Sequence, residues 1–266
     1  MARRTFRSSR VARKERRRKA KKLLLFLVGA LCLAGGALYA LSRPALRIQR
    51  IELAGATRIP EESLRALLAE QLSGAYFGVI PRAHILFYPR AAIRESLLLR
   101  FPSLSRVSLS LKNLAALQVS VREREPAALW CVAEHVCFFI DRTGFAFEEA
   151  GAEREGRYYR LERVATTSPI GRAVIESKRL ADLFAFLKEL ERLSLEPRRV
   201  VFEEAHEMRV ALSNGVQLLL KEGAYAKALD SMQVLLRDEA LPKTENELSV
   251  YYIDLRYGNK VYFKPR

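Results

Sequence analysis

The side chains that do most enzyme chemistry are thinly spread in this chain. Its three histidines, His84, His135 and His206, stand apart, with no HExxH or other spacing that would set two of them on one metal. A GxSxG nucleophile elbow and a glycine-rich phosphate loop are both missing. Carboxylates adjoin at Glu148-Glu149 and Glu203-Glu204, but acid–base work needs surroundings that push two carboxyl pKa values apart. Neither pair has an apolar setting, so both read as solvated charges. Cys131, His135 and Cys137 fall within seven residues, which is not a standard zinc spacing. The two cysteines bracket CVAEHVC between strand-like runs. In an oxidising compartment they can join as a disulfide, and two separate buried thiols are an equal alternative. The expectation is a protein that is not an enzyme, with no catalytic residue, cofactor or metal.

The elements that carry these residues form an α+β chain with an unusual front end. Eleven of the sixteen net positive charges lie in residues 1–22, where twelve Lys and Arg residues meet one acid, Glu15. Such an arm can bind polyanions, but Phe6 is its lone aromatic and base stacking needs more, so no nucleic-acid partner is expected. Leu23–Leu41 follows, reading LLLFLVGALCLAGGALYAL without a charge. As a helix it would reach roughly 28 Å, near the thickness of a bilayer's hydrocarbon core. The basic flank outweighs Arg43, Arg47 and Arg50 on the other side, which sets a cytoplasmic amino terminus. This predicts a single-pass type II protein of the plasma (inner) membrane. Its parts are a basic tail at 1–22 touching membrane lipid, a transmembrane helix at 23–41, a linker at 42–47 and extracytoplasmic domains beyond. A cleaved signal peptide is the competing reading, disfavoured by the length of the apolar run and by Pro44.

Past the linker, helical and strand periods alternate. A strand near Ile48–Leu53 ends at Gly55. Pro60, Glu61 and Glu62 open a helix with Leu64, Leu67, Leu68 and Leu72 on one face. Gly74–Pro81 reads as a loop. After Pro89 a second helix carries Ile93, Leu97 and Phe101, closed by Pro102. Two alternating strands then run through Val107–Leu111 and Leu117–Val121. A second region begins near Pro126, with strands at Ala128–Cys131, Cys137–Ile140 and Phe145–Phe147 and a polar loop at Gly151–Gly156. Leu180, Leu183, Phe184, Leu187 and Leu190 make an apolar stripe on a helix over Ser177–Ser194. Asn214-Gly215 signals a hairpin between Met208–Leu212 and Val216–Leu220. Tyr225, Leu229, Met232 and Leu236 mark another helix before the final strands, Val250–Tyr257 and Lys260–Phe263. Domains are expected at 48–125 and 126–266.

Five short motifs, in this order, resemble those of a bacterial cell-division family, FtsQ, called DivIB in Gram-positive bacteria. They are Ile51–Gly55, Phe101–Leu104 with Val107, the Val121–Trp130 run VREREPAALW, Ile140–Phe147 and Ile253–Tyr257. The resemblance implies a POTRA-type domain of order β-α-α-β-β, then a β-rich domain with packed helices. It implies a non-enzymatic divisome scaffold at the division septum. Its partners would be FtsB-like and FtsL-like coiled-coil proteins and, through them, the septal peptidoglycan synthase pair FtsW and FtsI. The alternative is a POTRA-containing envelope transport or assembly factor. That would follow the module with ten-residue barrel strands, and the helix at Ser177–Ser194 argues against it.

The last strands offer a mechanism from the residues themselves. Tyr251, Ile253, Leu255 and Tyr257 fall on one face of a regular strand, and Tyr252, Asp254 and Arg256 on the other. At a sheet edge such a segment presents unpaired backbone groups to which a partner strand can add. The expected docking residues are Tyr257, Gly258, Asn259, Lys260, Val261, Tyr262 and Phe263. Tyr257 and Gly258 match the family positions nearest that contact. An ordinary last strand is the competing reading.

Overall fold

The computed structural model describes residues 9–266 except 42, 79, 114, 152–156, 166, 239–240, 245–246 and 259. The first eight residues of the basic tail, Ser42 of the linker, most of the Gly151–Gly156 loop and the docking candidate Asn259 therefore lie outside the described residues.

The expectation of a membrane-spanning segment at Leu23–Leu41 is overturned. That run is not a helix of its own. It is the second part of α1 (Ser9–Leu41), a 33-residue helix whose first part is drawn from the basic tail. Among the described residues, no helix is long and apolar enough to cross a membrane. The single-pass topology, the cytoplasmic amino terminus and the inner-membrane location all rested on that segment and fall with it.

The chain divides into two compact units, α1 belonging to the first. The first takes in residues up to Leu97 and returns for Val107–Val121; the second holds Leu98–Arg106 and Arg122–Arg266. From Arg50 onward the element order is β1 (Arg50–Ala54), α2 (Glu61–Leu72), β2 (Ala75–Tyr76), β3 (Ile80–Pro81), α3 (Arg90–Arg100), β4 (Leu104–Leu111) and β5 (Ala116–Glu123). Leu64, Leu68 and Leu72 bury one stripe of α2, and Ile93 and Leu97 bury one stripe of α3. The three-stranded sheet runs β1-β5-β4, with β1 parallel to β5 in a register that sets Leu53 against Val119. Gly55 ends β1 at φ +87°, where an added Cβ would lie 2.1 Å from the Val121 carbonyl oxygen. The short antiparallel hairpin β2–β3 occupies what reads as a loop, because two-residue strands are too brief to show a period.

The second unit is built on one ten-stranded mixed sheet. Its strands are β6 (Ala128–Ala133), β7 (Val136–Ile140), β8 (Phe145–Ala150), β9 (Arg160–Glu162), β10 (Arg172–Ala173), β11 (Pro197–Phe202), β12 (Glu207–Leu212), β13 (Gln217–Lys221), β16 (Val250–Tyr257) and β17 (Lys260–Pro265). A separate pair, β14 (Lys243–Thr244) and β15 (Glu247–Leu248), precedes β16. The spatial order is β10-β8-β7-β6-β9-β11-β12-β13-β16-β17. Parallel pairing occurs at β6–β9, β9–β11 and β13–β16, and the other neighbours are antiparallel. Helices α4 (Ser177–Arg192) and α5 (Tyr225–Arg237) share one core with this sheet. On α4 the buried stripe is Leu180, Leu183, Phe186, Leu187 and Leu190; Phe186, not Phe184, takes the central aromatic place. Its ring stacks on Tyr225 of α5 at 5.0 Å.

Strands β6, β7 and β8 also bury side chains outside that core. Leu129, Cys131, Cys137, Phe139 and Phe147 form a second small cluster, since alternate residues of a strand point to opposite faces. Cys131 and Cys137 sit directly opposite each other in the β6–β7 register and are joined by a disulfide, with Cα atoms 4.0 Å apart. The bond closes a short loop, so its reduction, or Cys137→Ser, should lower unfolding free energy by about 2 kcal/mol. Urea midpoints with and without reductant check this, and an unchanged midpoint would show the cluster holds the hairpin by packing alone.

Candidate partner-binding edge

β17 is the last strand of the ten-stranded sheet, paired on one side to β16 and on the other to no strand of the chain among the described residues. Its register sets Ile253 against Phe263 and Asp254 against Tyr262. Both irregularities of the ladder insert their extra residue into β16, so β17 itself is regular. The Arg266 amide donates back to the Ser249 carbonyl at 3.1 Å. Counting from it, even-numbered residues of β17 turn their backbone groups toward β16. Val261, Phe263 and Pro265 turn theirs to the open side. Proline has no N–H to present, and an edge strand is where a sheet tolerates it.

The side chains divide differently. Val261 and Phe263 are half-buried against the main core, while Lys260, Tyr262 and Lys264 are exposed. Tyr257, at the end of β16, is 58% exposed and meets Tyr262 edge-on at 5.4 Å. Gly258 holds the connecting turn at φ +69°. Tyr251 is also exposed, with Lys264 and Arg266 over its ring at 5.6 and 6.0 Å. The structure thus brings Tyr257, Gly258, Lys260, Val261, Tyr262 and Phe263 together on one edge.

The strict two-face reading of β16 does not hold. Ile253 and Leu255 are buried, whereas Tyr251 and Tyr257 are exposed. The bulges at Val250/Tyr252 and Asp254/Tyr257 each shift the phase of the strand by one residue.

Behind this edge lies a charged network that the sequence pattern alone assigns to a wet face. Asp254 is 5% exposed. The Arg256 Nε and Nη2 donate to its two carboxyl oxygens at 2.9 and 2.6 Å, and the Arg256 amide donates to Oδ1 at 3.1 Å. Arg256 Nη1 donates to Glu207 Oε2 at 2.5 Å, tying β16 to β12. These Arg256 hydrogen bonds hold the Asp254 carboxyl below the usual carboxylate range despite its burial, and the two carboxylates raise the guanidinium in turn. The one legible signal was Asp-x-Arg, two residues that share a strand face and can meet.

The residues that suggested chemistry sit on separate elements. His84 is fully buried; its Nδ1 accepts the Leu86 amide at 3.2 Å, and its Nε2 has no hydrogen-bond partner among the described residues. His135 lies in the exposed β6–β7 turn, and His206 is exposed with Nδ1 3.8 Å from Glu222 Oε2. Among the described residues, no group of three His, Cys, Asp or Glu is placed to hold a metal. Known proteins offer no shortcut to a function: the chain matches no protein-family model and no curated protein.

Proposed function

We propose that this chain is a non-enzymatic scaffold that captures a partner by adding the partner's strand to β17, and that it serves bacterial cell division as an FtsQ/DivIB-like protein. The observation carrying the docking half is the open edge itself. Val261 and Phe263 offer N–H and C=O groups outward, and Tyr257 and Tyr262 stand exposed beside them. Backbone bonding would supply affinity, while the tyrosines and Lys260 would choose among partners. The five motifs and the β-α-α-β-β sequence of elements, with one small hairpin between the helices, support the family half. On that reading the partners are FtsB-like and FtsL-like coiled-coil proteins, with FtsW and FtsI acted on through them.

Two variants test it. Val261→Pro removes an outward N–H without touching the β16 ladder, and Tyr257→Ala with Lys260→Glu changes the side chains that select. Each should weaken capture of an FtsB-like protein from the same genome by about tenfold or more in a titrated pull-down. Undiminished capture by both, with normal circular dichroism, would sink the docking reading. A fluorescent fusion tests the division reading, which predicts enrichment at mid-cell; an even distribution overturns it.

A further inference from the structure

The second unit carries a groove far along the sheet from β17. Two cavities of about 740 and 670 Å³ share Ala127 and Tyr159 in their walls, so together they form one trough. Along one side runs the exposed face of α4. Ala181, Phe184, Ala185 and Lys188 line the first cavity and Glu191 the second, at the three- and four-residue spacing of one helix face. From Ala181 to Glu191 this wall is about 15 Å long. That length fits about five residues of extended chain.

The floor and the rim differ in character. Tyr159 and Phe184 meet at 6.0 Å where the cavities join, giving an aromatic step with Pro126 and Ala127 beside it. Glu191 accepts the Tyr159 hydroxyl at 2.5 Å and fixes that ring. Around the larger cavity Arg122, Arg142 and Lys188 are exposed and have no acidic partner among the described residues. Three carboxylates also line this cavity: Asp141 is occupied by Arg124 and Thr143, Glu123 is engaged with a partner of its own, and Glu125 is left to oppose the three exposed cations. The rim is therefore a cationic collar around an apolar seat.

We infer that this trough binds a short extended acidic peptide segment of another protein, with one large apolar side chain on the Tyr159–Phe184 step and carboxylates toward Arg122, Arg142 and Lys188. A compact anion would use the collar and leave the seat empty. An uncharged apolar segment would use the seat and leave three cations unanswered. Only the combined ligand answers both, and the collar would also speed its arrival.

The test uses the full chain and fluorescein-labelled acidic hexapeptides with Leu, Phe or Trp at the third position, followed by fluorescence anisotropy. At least one should bind, and Arg142→Glu with Lys188→Glu should weaken it about tenfold. Phe184→Ala, with its fold checked by circular dichroism, should remove the preference for the apolar position. Val261→Pro should leave peptide binding unchanged, which separates this site from the β17 edge. Three results overturn the inference: no hexapeptide binds, an equally acidic all-polar peptide binds as well, or the double charge reversal has no effect. Equal competition by inorganic polyphosphate and by unlabelled peptide would likewise reduce the trough to an anion collar and overturn it.

Discussion

Asp141→Ala should lower the stability of the second unit by about 3 kcal/mol, the usual scale for stripping one partner from a mostly buried ion pair. Asp141 is 9% exposed and works as a hub. Its Oδ1 accepts the Thr143 amide at 2.8 Å, the Thr143 hydroxyl at 2.6 Å and the Phe145 amide at 3.2 Å, while Oδ2 accepts Arg124 Nη1 at 2.5 Å. Arg124 in turn lies 3.9 Å from the centre of the Phe145 ring and donates through Nε to the Pro102 carbonyl. Removing the carboxylate takes the Asp141 charge away from a partly buried guanidinium and opens the turn into β8. Urea unfolding followed by tryptophan fluorescence reads the loss, since Trp130 lies in the same unit's core.

The same hub predicts acid sensitivity. Burial pushes the Asp141 carboxyl upward, but hydrogen bonds from Thr143, Arg124 and Phe145 outweigh it and leave the group below its ordinary value. Asp254 is lowered likewise by Arg256. A carboxyl depressed in the folded state binds its proton more readily when unfolded. Its stabilising contribution is whole above the unfolded value of about 4 and is lost as pH falls through the folded one. Unfolding free energy should therefore drop below about pH 4 in the wild type and drop less in Asp141→Asn, whose side chain does not titrate. Equal slopes in the two proteins would remove Asp141 from the account.

Gly144→Ala should cost about 3 kcal/mol by a different route: roughly 1–2 for forcing a side chain into the left-handed region, and the rest in hydrogen bonds lost as strands part. Gly144 sits at φ +79°, and a Cβ there would lie 2.1 Å from the Ile175 carbonyl oxygen. Backbone must give way. The bonds at risk are Val174 N–H to the Gly144 carbonyl at 2.8 Å and Gly171 N–H to the Ala146 carbonyl at 2.8 Å. Hydrogen exchange should quicken at Val174 and Gly171 first, ahead of the β11–β12 amides. Wild-type protection at both amides would show that the loop absorbs the methyl group without parting.

Where a local signal was complete, the residues alone located the element. Asn214-Gly215 marked the turn now seen between β12 and β13, because the left-handed conformation of Gly215 is needed to reverse the chain there. Leu180, Leu183, Leu187 and Leu190 marked the buried face of α4. Phe184 falls on that face in a periodic reading because large apolar residues look alike in such a pattern; only packing shows that Phe186 is enclosed and Phe184 lines the groove. The apolar run at Leu23–Leu41 illustrates the opposite limit. Its composition matched a membrane span, whereas α1 continues through it from a charged stretch and the described helices include none apolar and long enough to cross. The edge at β17 lay between these cases. Its residues were legible, but which backbone groups face outward depends on two bulges in β16 that no alternation rule encodes.

The alternation along β17 also bears on how copies of this protein treat one another. Two edges meeting antiparallel about Tyr262 would set Lys260 of each chain opposite Lys264 of the other, and like charges directly opposed disfavour pairing. Pro265 would end any such ladder, having no N–H to give. In that register the edge proposed to take a foreign strand disfavours pairing with its own kind. The six residues of β17 thus combine an open backbone edge with Lys260 and Lys264, a common kind of guard against edge-to-edge growth.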